Sequence, residues 1–530
     1  MRIVIRLSIL STAAATLLLS PLVSAVPDVP LYQKFLSPAS PQEIVVAKKA
    51  DKIAWVDYAE GKRNAYAASA PLFVPVRLTN FTKDDGIMMS AIRISDDGST
   101  VAFLRGEQPN REGWSPNPSA DPNGPEHAIW AARTNAPGAA WRVVDAANPE
   151  IAPDGSSVLF VKEGQIYRAK LTPVKPATEI DRGEKPFITE WGVQSDPKWS
   201  PDGRKIAFVS TRTDHSFVAV YDVATRSVKY MSPGVDFDSN PMWLADSKHL
   251  IFVRQPGLPF GQQAQQGAGG LGVPPGPAAQ AAAAATARGG RGNGRGNQPA
   301  AAVLPPPVIN NSAGLMRATF KGGYSLSVHK ADVTTGEAQE TWHNHPNDPL
   351  VTNFANARLA GDLLIFQFLP GGGRGGRGGR GGPGGAPAAP PAAEATPATP
   401  AAPVDEWDRY YSLNVMDASA RPVLLTTTDG LIEDRTSIAV SADNKTFYYC
   451  TNAKDIELRH IWAVPVGGGT PVEITTGDGA ETSPAPLPSG KYLAAISASW
   501  NMPQSVGVWK LAAAGPTSAA APEPCISAER

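Results

Sequence analysis

Three stretches of this sequence hold residue types at spacings that could do chemistry. His343-Asn344-His345, with Asp348 close behind, offers imidazoles at i and i+2. On an extended strand such residues face one way and could converge on a metal. They fall in the turn-rich run HNHPNDP with no third ligand at a metal-site spacing, so a solvated loop is the simpler reading and no metal ligand is assigned. Asp181 to Trp191 (DRGEKPFITEW) gathers Asp181, Glu184 and Glu190 beside an indole. Carboxylates there could meet a cationic ligand, although such charges are more often solvated loop positions. Glu184, Glu190 and Trp191 are kept as candidate ligand contacts. The third stretch is Arg-Gly rich: Arg288-Gly289-Gly290-Arg291, and Arg-Gly-Gly steps at Arg374, Arg377 and Arg380. Such segments bind RNA nonspecifically in other contexts. With three arginines in each insert and an export signal on the chain, linkers are expected and no nucleic-acid partner is assigned.

Hydrolytic chemistry has no visible seat. The nucleophile elbow G-x-S-x-G is absent from all 530 residues. The stretch after Leu511 is too short for an α/β-hydrolase domain, which takes roughly 200 residues. No catalytic residue and no cofactor is assigned. Lys plus Arg number 48 and Asp plus Glu 49, giving a net charge of −1, so no global field draws the chain to nucleic acid or an anionic membrane. Of two cysteines, Cys450 sits in an apolar strand and Cys525 near the end; nothing in their positions argues for a disulfide.

The elements that must position these residues come from a repeat. Asp196 to Arg212, DPKWSPDGRKIAFVSTR, reads as strand, tight turn and strand, with Gly203 free to take positive φ in the turn. Strands like KIAFVS recur as KIAWVD from Lys52, TVAFLR from Thr100, SVLFVK from Ser157, HLIFVR from His249, LLIFQF from Leu363, TFYYCT from Thr446 and KYLAAI from Lys491. Most follow a turn of the same chemistry. Successive starts lie 44 to 57 residues apart, except for two intervals of 114 and 83, each of which holds a low-complexity insert. About four strands per period of this length predicts an all-β fold, a β-propeller of eight four-stranded blades, or seven if the first or last unit is not a blade. Ile94, Ile151, Trp199 and Trp243 repeat one position and are expected to pack blade on blade. The domain spans 26–511. Inserts at about 256–307 and 370–403 are too poor in apolar residues to fold and are expected to be disordered, as is the tail 512–530.

Because strands alternate in direction, connections from second to third strands leave on one face, and turns like Ser200 to Gly203 leave on the other. Both inserts and the loop Gly106 to Glu126 therefore share a face. The N-terminus, with Arg2, Arg6, an apolar Ile9 to Leu22 and the small residues Val23-Ser24-Ala25, reads as a signal peptide over 1–25. A periplasmic or secreted protein without a membrane span after cleavage is expected.

Trp199-Ser200-Pro201-Asp202-Gly203 followed by KIAFVS resembles the WD40-like repeat of TolB-type propellers. The run Ser195 to Gln263 resembles the N-terminal propeller of the prolyl oligopeptidase / dipeptidyl-peptidase IV serine peptidases. The resemblance covers about residues 40 to 510. It implies a propeller that caps a hydrolase domain and filters its substrates, with catalytic residues in a domain this sequence does not show. The dipeptidyl-peptidase branch anchors a substrate amine on a Glu-Glu pair ahead of the fourth hairpin; here only Glu190-Trp191 stands there. The expectation is a non-catalytic propeller that gates peptides, the gating domain of a truncated or split protein of that family involved in proteolysis, with a peptide or protein partner such as a separately encoded hydrolase domain; the alternative is a free-standing TolB-like periplasmic scaffold that binds protein.

Overall fold

The computed structural model describes residues 39–107, 126–257, 319–346, 348, 350–351, 354, 357–368, 407–432 and 437–511. The signal-peptide reading, both low-complexity inserts, nearly all of the Gly106 to Glu126 loop, Cys525 and the tail lie outside these residues. The described residues are all-β, without an α-helix.

The chain forms antiparallel sheet units in sequence order: Ser40–Arg77, Met89–Val144, Glu150–Ile188, Val193–Tyr230, Phe237–His343, Arg358–Leu424, Ile438–Glu473 and Gly479–Lys510. Seven of them carry four strands, and the last carries three among the described residues. The fourth and fifth are joined by one parallel bridge, Ser216 to Phe237. Each second strand is the recurring apolar run, and it is buried because both of its faces meet a neighbouring unit. In Thr100–Arg105 every residue is buried.

The hydrophobic clusters show how the units are arranged. Ile94, Val101 and Phe103 of the second unit pack on Val56 and Leu78 of the first. The same happens at every joint in turn, and Ile94, Ile151, Trp199 and Trp243 each lie at one of them. The final cluster joins Ala485, Leu487 and Val508 of the last unit to Ile53, Trp55 and Phe73 of the first. The sheets therefore close into a propeller. First strands touch at most of the joints, including last to first, and lie on the inner side of the ring.

Closure uses side chains, because the first strand, Ser40–Val46, pairs within its own sheet. Phe73 is fully buried at the seam and meets Tyr492 edge-on at 5.1 Å. The Ser489 amide donates to Asp51 at 3.0 Å, and Gln504 Nε2 donates to the Pro41 carbonyl at 3.2 Å. The sequence suggests a strand over Phe73 to Leu78, but only Val76–Arg77 pairs. Phe73 takes φ 48° and turns into the seam instead.

The repeating turn has one construction. Ser200 Oγ donates to Asp202 at 2.6 Å and accepts from the Lys205 amide at 2.9 Å, and Gly203 takes φ 70°. Ser95/Asp97 and Ser441/Asp443 repeat it, with Gly98 and Asn444 at the left-handed position. Inner strands repeat a bulge as well. Asp196, Asn240 and Ser483, each followed by proline, have φ between 48° and 57°. The extra residue bends the strand and re-aims its side chains. Asn240 Nδ2 thereby reaches the Phe354 carbonyl at 3.2 Å, in the sixth unit's approach.

One joint is ionic. His460 Nδ1 bonds Glu481 at 2.9 Å between the seventh and eighth units, with both side chains buried. The bond to Glu481 holds the imidazole above its ordinary range, against the opposing effect of burial. A raised folded pKa means the pair's stability is fully present below the unfolded value, near 6.5, and is lost as pH rises through the folded one. The expected outcome is a melting temperature that falls over that window in wild type, with the His460-dependent part missing in His460→Gln. Parallel profiles for the two proteins would count against the pair.

Candidate functional site

The candidate contacts fall at opposite ends of one strand, Arg182–Ile188. Glu184 lies near its start, where Arg182 bonds it at 2.6 Å and Lys175 approaches to 3.8 Å. The Arg182 bond holds its carboxyl below the usual range. Asp181 is likewise taken, by Arg168 at 2.6 Å and Lys170 at 3.1 Å. Glu190 and Trp191 follow the far end, on the order of 20 Å away at strand rise. The structure brings Glu190 and Trp191 together and leaves Glu184 outside the site.

Two glutamines set the 190–192 loop. Gln165 accepts from the Glu190 amide at 2.9 Å and donates to the Glu190 and Gly192 carbonyls at 3.1 and 3.2 Å. Gln194, fully buried, donates to the carbonyls of Glu190 and Trp191 at 3.2 and 3.0 Å. With the backbone so held, the Trp191 side chain stands outward and 81% exposed.

Beside it rises the hairpin that joins Lys205–Thr211 to Ser216–Asp222. A second-to-third-strand hairpin and a connection between units leave on the same face, so the two loops adjoin. Trp191, Gly192, Thr211, Arg212, Asp214 and His215 line a cleft of about 390 Å³. Gly192 has φ 81°, and a Cβ there would overlap the Thr211 carbonyl oxygen, so only glycine lets the loops approach this closely. His215 Nδ1 bonds Asp214 at 2.7 Å, and its ring meets Phe217 edge-on at 4.7 Å. The Tyr230 hydroxyl donates to Glu190 at 3.1 Å, and its oxygen accepts from Arg212 at 3.4 Å. Arg212 also donates to Ser210 Oγ at 2.8 Å and lies 5.5 Å from the Phe217 ring.

Sequence reasoning missed Arg212, His215 and Tyr230. The signal was available: the polar loop RTDH leaves on the face that also carries Glu190-Trp191. A larger cleft of about 440 Å³ lies at the outer rim beside Pro75, Arg77 and Pro137, where Arg77 donates to Asn80 at 2.6 Å. It lacks an exposed aromatic ring.

His343 and His345 flank the buried Asn344, which organises their loop. Asn344 accepts from the Ser325 and Leu326 amides at 3.0 and 2.9 Å and donates to the Val351 carbonyl at 3.0 Å. His343 itself stacks on Tyr324 at 4.2 Å and bonds Glu340 at 2.9 Å. Among the described residues no three His, Cys, Asp or Glu side chains converge as a metal set would. Cys450 is buried, its thiol directed at the Glu481 carbonyl at 2.8 Å.

The three insertion points share another feature. Arg105 ends a second strand just before residues 108–125, and it pairs with Asp85 and with Glu126, at the loop's far end. Arg254 precedes residues 258–318; its Nε and a terminal nitrogen bond Asp238 at 2.7 and 2.9 Å. Arg409 follows residues 369–406 and donates to the Thr426 and Thr428 carbonyls at 3.1 and 2.9 Å and to Asp429 at 2.5 Å. Each guanidinium is largely buried where the chain departs.

No family model matches the chain. Over 119 residues, 21% of this chain and 17% of the other, it is 29% identical to "Uncharacterized peptidase YuxL" of Bacillus subtilis. Among solved structures it is similar to Porphyromonas gingivalis dipeptidyl peptidase 4, with 11% identity and a TM-score of 0.46, over 90% of this chain and 59% of that one. It is also similar to the β-propeller domain of the Trilobed protease from Pyrococcus furiosus, with 9% identity and a TM-score of 0.38, over 89% and 93% of the two chains. The chain thus spans less than a fifth of its curated relative and about three fifths of the dipeptidyl peptidase.

Proposed function

We propose that this chain is a non-catalytic propeller that holds and gates peptides for a separately folded protein partner of the peptidase kind, and that it works outside the cytoplasm. One observation carries the reading: the exposed tryptophans among the described residues, Trp191, Trp407 and Trp500, all belong to connections of one face. Val235, Leu431 and Ile456 add exposed apolar side chains to the same face. A surface of this kind, rich in tryptophan, is suited to docking protein or peptide. The resemblance of the repeat to exported peptidase propellers supports the partner's chemistry, and the Arg2 to Ala25 pattern supports the compartment.

The test combines peptide binding with a panel of chromogenic peptide substrates and a fluorophosphonate probe on the purified chain. Binding without turnover or labelling is the expected result. Specific serine labelling with turnover would overturn the non-catalytic reading. Failure to bind any peptide, with capture of a defined envelope protein instead, would favour the scaffold alternative.

A further inference from the structure

We propose that the cleft between the 190–192 loop and the Arg212–His215 hairpin recognises a carboxylate of its peptide, with an aromatic side chain of the ligand laid on Trp191. This rests on the peptide-holding reading and names the group selected. Two carboxylates and an imidazole in and beside the cleft are already engaged. Asp214 bonds His215, and Glu190 accepts a hydrogen bond from the Tyr230 hydroxyl. The group left over is the Arg212 guanidinium. Its partners, Ser210 Oγ, the Thr211 carbonyl and the Tyr230 oxygen, are all neutral. Among the described residues it forms no ion pair, and Glu190 faces it only across the Tyr230 hydroxyl. A guanidinium is a fork of fixed donors matched to a carboxylate, so a charged acceptor is the partner this cleft lacks. Phe217 backs the guanidinium on one side. The absence of a Cβ at Gly192 keeps the other loop from displacing it. About 390 Å³ suits the end of a peptide or one acidic side chain with its neighbour.

The sources of the carboxylate are separable by calorimetry on the purified chain. Four tripeptides serve: acetyl-Ala-Ala-Phe with a free C-terminus, acetyl-Ala-Glu-Phe amide, acetyl-Ala-Ala-Phe amide, and Ala-Ala-Phe amide with a free amine. At least one acid is expected to bind roughly tenfold or more tighter than the neutral amide. A C-terminal preference would appear in the first peptide and a side-chain preference in the second. Arg212→Met is expected to erase the difference, and Arg212→Lys to keep part of it; equal melting temperatures control for folding. Trp191→Ala is expected to weaken the acids severalfold while leaving their preference over the amide. Equal binding of acids and neutral amide, tightest binding of the free amine, or a preference that survives Arg212→Met would overturn the carboxylate assignment and leave peptide holding intact. No binding by any of the four would overturn both.

Discussion

Replacing Arg254 with alanine is expected to destabilise the protein by about 3–5 kcal/mol, the range for removing one partner of a buried ion pair. The loss comes from the carboxylate left behind more than from the bond removed. Asp238 is 1% exposed, and burial already pushes its carboxyl up to about 6 against the pull of Arg254. Without the guanidinium it must either stay charged in an apolar wall or bind a proton. Because its folded pKa is raised, protonation of Asp238 contributes stability below about 3.8 that is lost as pH rises through about 6. The defect in Arg254→Ala is therefore expected to be largest at neutral pH and to shrink in acid. Urea unfolding at pH 7 and pH 5 checks both claims. The double variant Asp238→Leu/Arg254→Met should recover most of the loss, since an apolar pair leaves no stranded charge. A single variant within 1 kcal/mol of wild type, as surface pairs are, would show that Asp238 is solvated.

The second large effect is at the seam. Phe73→Ala is expected to cost about 3–5 kcal/mol, as for other buried phenylalanines. Its distinguishing mark is where the loss appears. Phe73 sits in the cluster that joins first unit to last, whereas Phe252 sits in the one that joins fourth to fifth. Hydrogen exchange in Phe73→Ala should quicken first in Ser40–Val46 and Met502–Lys510, and in Phe252→Ala around Lys205–Thr211 and His249–Gln255. If both variants loosened the whole chain alike, the joints would be energetically indistinct and the seam would have no special standing.

The second strands were legible because both of their faces are buried, so each reads as an unbroken apolar run bounded by an Asp/Gly turn. Their neighbours at the rim were much harder to see. Val76–Arg77, Val423–Leu424 and Val472–Glu473 are two-residue pairings on half-exposed edges, too short to show a period. The site divides along the same line. Glu190-Trp191 stood out by composition, but Arg212, His215 and Tyr230 come from a hairpin and an outer strand that meet the loop only through the fold. The arginine clamps were in plain view, since TVAFLR and HLIFVR both end in the residue that secures the departing chain. What the sequence could not display was the partner, because Asp238 lies in a different strand and Asp85 in an ordinary polar loop.

These clamps bear on how such a chain can change over time. A sheet end sealed by its own largely buried guanidinium does not depend on what the departing segment does next. Lengthening the segment then costs only the slow logarithmic growth of loop closure, about 0.6 kcal/mol for each doubling. Arg105, Arg254 and Arg409 thus mark three ports at which sequence can accumulate, be exchanged or be lost while the ring behind them stays the same. For an engineer they are ready splice points, where a foreign module can be grafted onto the face that carries Trp191 without renegotiating the fold beneath it.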